Sequence, residues 1–183
     1  DYHNLPGDVA FRQVYEYGNG EWEKDAAGAW SCRTQVYYLS EACNHCDSPA
    51  CFAACSQGAI VKDEDTGLVY IDEEKCVNCG ACAEACPYGI PKADAEKGVY
   101  VKCDGCKDRV ARGGKPICVE ACPLRALDFG DIEQLRSDFG DVAAIAPLPD
   151  PSQTNPNIVI TEPKNARPID DTQGAVLNAG ELV

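Results

Sequence analysis

The sequence contains no methionine, only two histidines and no long apolar run. The lack of any stretch of about 18 apolar residues excludes a membrane-spanning helix, and the first residues, DYHNLPGDVA, lack the basic and apolar regions of a signal peptide. Because even a first Met is missing, we expect that the chain starts after processing or is a fragment. The formal net charge of -14 argues against duplex DNA or RNA as a partner, since binding to a nucleic-acid backbone needs clustered Lys and Arg.

Cysteine is the residue type that the chain has in excess, with 13 among 183 residues. An odd number at tight, patterned spacings does not fit a disulfide framework, and metal binding is the better hypothesis. Twelve of the 13 form three quartets. The first is Cys43, Cys46, Cys51 and Cys55 (C-x2-C-x4-C-x3-C), the second is Cys76, Cys79, Cys82 and Cys86 (C-x2-C-x2-C-x3-C), and the third is Cys103, Cys106, Cys118 and Cys122 (C-x2-C-x11-C-x3-C).

The quartet spacing is typical of bacterial ferredoxins that bind 4Fe-4S clusters. Three cysteines in one loop hold a cluster, and the fourth, carried on a short turn, ligates the other cluster of a pair. The segments CFAACSQGAI, CAEACPYGI and CVEACPLRAL align from the third cysteine of each quartet, which predicts a shared half-module. Gly80 and Ala81 are small enough to let backbone amides approach a cluster, and Pro87 and Pro123 end the turns, whereas Ser56 replaces this proline in the first quartet.

Other metal sites fit less well. Zinc ribbons rarely add a third and a fourth cysteine at these spacings. A Rieske centre needs two ligating histidines, but His45 is the only candidate because the sole other histidine is His3. Covalent haem needs C-x-x-C-H, which does not occur. Two-cysteine redox chemistry of the thioredoxin type needs one C-x-x-C rather than three quartets.

Three features outside the quartets carry predictions of their own. His45 is expected to be a packed ring or a hydrogen-bond donor to a sulfide, and Cys32 a buried free thiol. Residues 100–128 contain six basic and four acidic side chains, a positive region around the third quartet. Positive charge near a cluster favours its reduced form, although ordinary surface charge explains the composition equally well.

Short strands and hairpins are predicted between the cysteine loops. AIVKDEDTGLVYIDEEKC is typical of a hairpin whose acidic turn ends at Gly67, and GVYVKC repeats such a strand before the third quartet. VAFRQVYEYGNGEW predicts an alternating strand followed by a Gly-rich turn, and DIEQLRSDFG a short helix ended by Gly140. Six of the 12 prolines lie between residues 147 and 168, so we expect no helix there but an extended arm whose Ile158, Val159 and Ile160 dock on the core or on a partner.

Several stretches together resemble one known family. GDVAFRQVYEY, YYLSEACNHCDSPAC, CPYGIPKA, KCDGCKDRVARGGKPICVEACPLRALDFG and PNIVI are similar to the electron-transfer iron-sulfur (beta) subunit of bacterial dimethyl sulfoxide reductase and related molybdopterin oxidoreductases. The resemblance covers nearly the whole chain. It implies an α+β fold with tandem bacterial-ferredoxin-like modules, small β-hairpins, short helices and the extended Pro-rich C-terminal arm.

The resemblance also implies a division of the chain and a pairing of ligands. Residues 1–39 are the remainder of the first ferredoxin module with a strand insertion, 40–99 the central double-cluster module, 100–128 the second half of the first module, and 129–183 the short helix and the arm. A further quartet precedes the matching segment in the family, so the chain is expected to begin just after it. The family pairing gives one 4Fe-4S cluster on Cys43, Cys46, Cys51 and Cys86, a second on Cys76, Cys79, Cys82 and Cys55, three ligands of a third on Cys103, Cys106 and Cys118, and one ligand of a fourth on Cys122.

The function implied by the resemblance is the relay of single electrons between a membrane anchor that oxidises quinol and a catalytic subunit that carries molybdopterin. No carboxylate pair, Ser/His constellation or phosphate loop indicates catalysis by the chain itself. The same role in a formate dehydrogenase, polysulfide or tetrathionate reductase, or hydrogenase complex remains open, as does a structural iron-sulfur module without redox cycling. The implied location is the cell envelope, at the membrane through partners, on the periplasmic face after folded export or on the cytoplasmic face.

Overall fold

A computed structural model describes residues 3, 5–7 and 9–182. Seven strands and five α-helices, most of them short, alternate along this part of the chain, in agreement with the predicted α+β class. The strands are β1 Arg12–Lys24, β2 Trp30–Ala42, β3 Ile60–Lys62, β4 Val69–Ile71, β5 Lys92–Asp94, β6 Val99–Val101 and β7 Ala175–Val176. The helices are α1 Ala50–Ala54, α2 Ala81–Ala85, α3 Lys107–Val110, α4 Ile117–Ala121 and α5 Ile132–Phe139.

Strands β1 and β2 form a long antiparallel hairpin. The Gly-rich turn predicted within residues 18–20 is wrong, because β1 continues through it and the chain turns at 25–29 instead. Gly18 is needed inside the strand, since a Cβ there would lie 2.0 Å from the carbonyl oxygen of Gln35. The turn itself depends on Asp25, whose Oδ1 accepts the N–H groups of two residues of the loop. Residues 20–35 are exposed throughout, so the outer half of the hairpin projects from the molecule.

The C-terminal segment returns to this hairpin, which sequence reasoning did not predict. Strand β7 pairs with β1 at Tyr17 and Gly18 and makes a three-stranded sheet of order β2-β1-β7. Asp171 anchors the strand by accepting hydrogen bonds from the Gly174 N–H and the Tyr17 hydroxyl. Burial raises the pKa of its carboxyl group, but these hydrogen bonds and the charge of Arg167 outweigh that effect, so the pKa lies below its ordinary value. The described residues from 147 onward contain two short 3-10 helices, Pro151–Gln153 and Ala179–Glu181, and no α-helix, as expected.

The hairpin predicted before the second quartet is confirmed, since β3 pairs antiparallel with β4. The strand predicted before the third quartet is confirmed as β6, which pairs antiparallel with β5, a strand that the sequence did not indicate. Gly67 lies in the first turn with φ +71°, a conformation that glycine adopts at little cost. The helix before Gly140 is confirmed as well, with Asp131 as its N-cap, whose side chain accepts the N–H of Gln134.

Two hydrophobic clusters hold these elements together, and both include cysteines. One cluster joins the base of the long hairpin to the C-terminal segment, which contributes Ile158 and Ile160. The buried members of this cluster are Tyr17, Tyr37, Leu39, Cys46, Tyr88, Ile90, Ile145, Ala146, Leu148 and Ile160. The other lies between the first and second quartets and is formed by Cys51, Ile60, Val69 and Cys82. Within the described residues, none of the helices has the length and apolar character needed to cross a membrane.

Candidate iron-sulfur centres

The last two cysteines of each quartet lie on the same small structural unit. Helices α1, α2 and α4 are five residues long, carry the third cysteine at their second position and have the fourth cysteine as C-cap. The three C-cap cysteines share nearly the same extended backbone conformation, with ψ between 94° and 113°. This is the half-module that the sequence repeat predicts, and Ser56 in place of proline does not alter it.

An N–H group donates to the fourth thiol of each unit from four residues further on. Ala59 N lies 3.3 Å from Cys55 Sγ, and Ala126 N lies 3.4 Å from Cys122 Sγ. The N–H of Ile90 likewise lowers the pKa of Cys86, although burial, the larger effect, raises it. Donors of this kind stabilise negative charge on sulfur, which is the charge that a metal-bound thiolate carries.

Four cysteines from two quartets surround one cavity. Cys43, Cys46, Cys51 and Cys86 all line it. Tyr88 and Thr154 also line the cavity, and their hydroxyl oxygens lie 3.3 Å apart. The first set of four predicted ligands is therefore brought together, with Cys86 contributed from the second quartet.

The thiols of this set are costly to ionise in the protein alone. Burial raises the pKa of Cys51 to about 12, and the neighbouring Cys43 and Cys86 add to this effect. The pKa of Cys46 is also raised, first by burial and then by the same two neighbours, against a hydrogen bond with Thr154. Four converging thiols in such surroundings become stable thiolates when a cation binds them, because the cation compensates their charge.

Cys82 lies near two other members of the second predicted set. Burial raises the pKa of this thiol, and the nearby Cys76 and Cys55 raise it as well. Cys76 Sγ accepts an N–H from Tyr100 at 3.4 Å. Cys79, the remaining predicted ligand, is exposed at the surface of the same loop.

The third quartet lies beside the first set. Cys103 is partly buried, and its pKa is raised to about 11 by desolvation and by the neighbouring Cys43. Burial raises the pKa of Cys106 too, with Cys118 among the groups that raise it further. His3, for which sequence reasoning found no role, has its Nε2 3.6 Å from Cys106 Sγ, and both side chains lie close to Asp104. The fourth cysteine of this quartet, Cys122, has a different environment: backbone N–H groups around it, first that of Ala126, lower its pKa.

Lys102 and Thr154 are functional candidates that sequence reasoning did not single out. In the sequence, Lys102 is only one of six basic residues near the third quartet, yet it is buried and lines the cavity of the first set. A lysine also precedes the second quartet, but Lys75 is exposed and pairs with Asp72, so the shared Lys-Cys pattern gives no signal. Thr154 lies 99 residues after Cys55, the last cysteine of the first quartet, and is placed there by tertiary structure.

The two single-residue predictions had different outcomes. His45 is a packed ring, as expected: its Nδ1 accepts the N–H of Val69 at 2.8 Å, and burial lowers its pKa to about 3, which keeps the ring neutral. The prediction of a buried Cys32 is wrong. This residue lies opposite Trp22 on the exposed half of the long hairpin, where no core is available to cover it.

The donor sets fit iron-sulfur clusters. All 13 cysteines lie within the described residues and are free of disulfides. Soft thiolates select zinc, copper(I) or iron-sulfur centres among biological metals. A largely apolar cavity with four thiols and N–H donors near the sulfurs satisfies what a cubane cluster requires of a protein.

Comparison with known proteins agrees with this chemistry. The family model of a 4Fe-4S dicluster domain matches residues 34–132. The protein is 53% identical over 182 residues to the B subunit of anaerobic dimethyl sulfoxide reductase of Escherichia coli (strain K12), covering 100% of this sequence and 88% of that protein. It is 52% identical over the same length and coverage to YnfG, a probable anaerobic dimethyl sulfoxide reductase subunit of that organism. Selenate reductase subunit beta of Thauera selenatis is 36% identical over 151 residues, or 80% of this sequence and 46% of that protein.

These matches cover both the cysteine modules and the rest of the sequence, and they confirm the resemblance seen there. They also confirm the predictions of 4Fe-4S clusters and of a role without catalysis. The protein belongs to the family of dimethyl sulfoxide reductase B subunits, the electron-transfer iron-sulfur subunits of molybdopterin oxidoreductases.

Proposed function

We propose that this protein relays single electrons from a membrane-embedded subunit that oxidises quinol to a molybdopterin catalytic subunit of a dimethyl sulfoxide reductase-like complex. The observation that carries the proposal is the cavity on which Cys43, Cys46, Cys51 and Cys86 converge. Identity of about half over the full sequence to dimethyl sulfoxide reductase subunits favours this complex over those whose beta subunits match a smaller part at lower identity.

The four thiols of the cavity are the ligands of one 4Fe-4S cluster in this proposal, and Cys76, Cys79, Cys82 and Cys55 are those of a second. When bound, each cluster accepts and releases one electron. The protein supplies the spacing between them. Helix α1 holds Cys51 for the first set and has Cys55, for the second, as its C-cap, whereas α2 holds Cys82 for the second and has Cys86 for the first. The two helices pack against each other, so the two centres are fixed side by side.

Cys103, Cys106 and Cys118 supply three ligands of a third cluster, and Cys122 one ligand of a fourth. The proximity of Cys103 to Cys43 supports an electron step between the third centre and the first. The four segments 1–39, 40–99, 100–128 and 129–183 are then the two interleaved ferredoxin modules and a C-terminal arm. The Pro-rich part of this arm covers the first cysteine loop, where Asn157 N donates to Asn44 O at 2.9 Å.

The partners in this proposal are the catalytic subunit and an integral membrane anchor, and the protein is located at the cell envelope through them. Folded export with the catalytic subunit would give the periplasmic face. Trypsin treatment of intact spheroplasts distinguishes the faces, because a periplasmic subunit is cleaved and a cytoplasmic one is protected.

The ligand assignment is tested by iron and acid-labile sulfide analysis with EPR of the anaerobically purified complex. Two complete sets require about eight irons per protein, and four clusters about sixteen. We expect Cys51→Ala and Cys82→Ala to lose about one cluster each, and Cys32→Ala, the matched control outside every quartet, to lose none. Unchanged iron content in Cys51→Ala, or clusters that cannot be reduced and reoxidised, would overturn the proposal and favour a structural iron-sulfur module.

A further inference from the structure

Lys102 is the one cationic residue that is buried in the described part of the chain. It lies directly before Cys103, but its side chain points into the cavity of the first set. Its Nζ is 3.2 Å from Cys43 Sγ and 2.8 Å from the carbonyl oxygen of Cys103, and it also donates to the carbonyl oxygen of Val69. One amine therefore contacts a predicted ligand of the first centre and the backbone of a predicted ligand of the third.

The three contacts use the full hydrogen-bonding capacity of an ammonium group. A charged lysine has three N–H donors and no acceptor, and here each donor has its own acceptor. Two of these are carbonyl oxygens, which can only accept, and the third is a sulfur that carries negative charge once a metal is bound. The site is thus built for a positively charged Nζ.

Three of the other five basic residues around the third quartet behave differently. Lys107, Arg109 and Lys115 each form an ion pair with an acidic side chain at the surface. Their charge is compensated locally and screened by solvent. Among the described residues, no carboxylate is a hydrogen-bond partner of Lys102. Its charge acts on the sulfurs, including Cys51, whose pKa it lowers against the larger effect of burial.

The position of Lys102 is fixed from two sides. The Val69 carbonyl holds Nζ, while the Val69 N–H donates to His45 Nδ1, so that the backbone of β4 cannot move away. On the other side, Gly105 fits so closely against Leu68 that a Cβ would lie 2.6 Å from its Cδ2. Its three hydrogen bonds hold the amine between the central module and the third quartet.

We propose that Lys102 sets the reduction potential of the cluster held by Cys43, Cys46, Cys51 and Cys86, and so controls electron transfer between the central module and the third quartet. The inference rests on the ligand set of the proposed function. In the step itself, a neighbouring cluster of the relay is oxidised by one electron and this cluster is reduced by one, with no bond made or broken. Reduction adds one negative charge next to Nζ, and the ammonium stabilises that state more than the oxidised one.

The test is an EPR-monitored redox titration of the intact complex with Lys102→Met. At the ambient potential that half-reduces this cluster in the unaltered protein, we expect the ratio of reduced to oxidised cluster to fall by about tenfold or more, or about 59 mV for a one-electron couple. Lys102→Arg keeps the charge and is expected to stay closer to the unaltered potential. Lys97→Met, which removes an exposed lysine paired with Glu73, is the matched control and should change the ratio less than about twofold.

A second measurement requires no substitution and covers the case in which Lys102→Met fails to assemble. Protein labelled with lysine that carries 15N only at Nζ should give a hyperfine coupling to the reduced cluster, because Nζ is hydrogen-bonded to a ligand sulfur. Absence of that coupling overturns the proposal. An unchanged potential in a Lys102→Met protein with full iron content also overturns it while leaving the proposed function intact, whereas full iron content in Cys51→Ala refutes the ligand set itself.

Discussion

The contact between Gly105 and Leu68 predicts how rigidly the third quartet is joined to the central module. Gly105 has φ +70°, and a Cβ added there would lie 2.6 Å from Leu68 Cδ2 and 3.3 Å from His45 Nε2. Leu68 is only 4% exposed, so its side chain has little room to turn away. Gly105→Ala should cost about 1–2 kcal/mol for the left-handed backbone and about 1–3 kcal/mol for overpacking.

Gly98→Ala separates the two contributions. Gly98 has a similar backbone conformation, φ +68°, but an added Cβ would have nothing within 4 Å. We therefore expect it to show only the backbone cost. With about 2 kcal/mol of extra destabilisation and a urea dependence of about 2 kcal/mol per molar, Gly105→Ala should unfold at a urea concentration about 1 M lower than Gly98→Ala. Anaerobic urea unfolding followed by far-UV circular dichroism measures both midpoints.

Leu68→Ala completes a double-mutant cycle. Alone, it should destabilise by about 2–5 kcal/mol, because it removes buried methyl groups and leaves a cavity. Combined with Gly105→Ala, the new methyl group occupies part of that cavity, so the double variant should lose less stability than the two single changes together, by about 0.5–3 kcal/mol. Additive effects, or equal midpoints for Gly105→Ala and Gly98→Ala, would refute the close packing of this junction.

Two further predictions concern the long hairpin and its third strand. Replacing residues 21–33 by Asn-Gly, between the cross-strand partners Gly20 and Thr34, should leave iron content and EPR signals unchanged because this half of the hairpin is exposed; loss of a cluster signal would contradict that. The folded-state pKa of Asp171 is lowered from the ordinary value of 3.8, so its carboxylate stabilises the folded sheet at pH values above 3.8. As the pH falls below 3.8, protonation of Asp171 should remove this stabilisation. The Leu177 N–H donates to a β1 carbonyl, so its protection from hydrogen exchange, measured relative to an unprotected amide at the same pH, should fall there. In Asp171→Asn this protection should be low at every pH. Protection that does not depend on pH in the unaltered protein would exclude this anchor.

The local elements near the cysteines could be predicted from the sequence because their signals are local. The repeat of small and apolar residues between the last two cysteines indicates α1, α2 and α4, and Gly67 marks the turn of a hairpin. Gly18 and Gly20 mislead for the same reason. Their turn propensity depends on neighbours in the sequence, whereas the strand partner across the sheet decides that Gly18 stays extended.

Features that depend on contacts far apart in the sequence could not be predicted. Thr154 reaches the first cavity, and β7 joins β1, through packing that has no periodic signature. The burial of Lys102 is of this kind too, since charged residues are rarely buried and composition favours the surface. The pairing of cysteines from different quartets comes from family resemblance rather than from spacing, and the cavity is the geometric observation that supports it for the first set.

Lys102 and Gly105 lie three residues apart and affect the same electron step in different ways, which makes them separable. Lys102 places a positive charge next to Cys43 Sγ. Its replacement should therefore shift the reduction potential of the first centre while the junction stays packed, provided the clusters assemble. Gly105 carries no charge, so Gly105→Ala should weaken the junction while the potential at the first centre stays near its original value as long as Nζ keeps its three acceptors. If both substitutions shift the potential equally, then position rather than charge controls it, and the role assigned to the ammonium group of Lys102 is wrong.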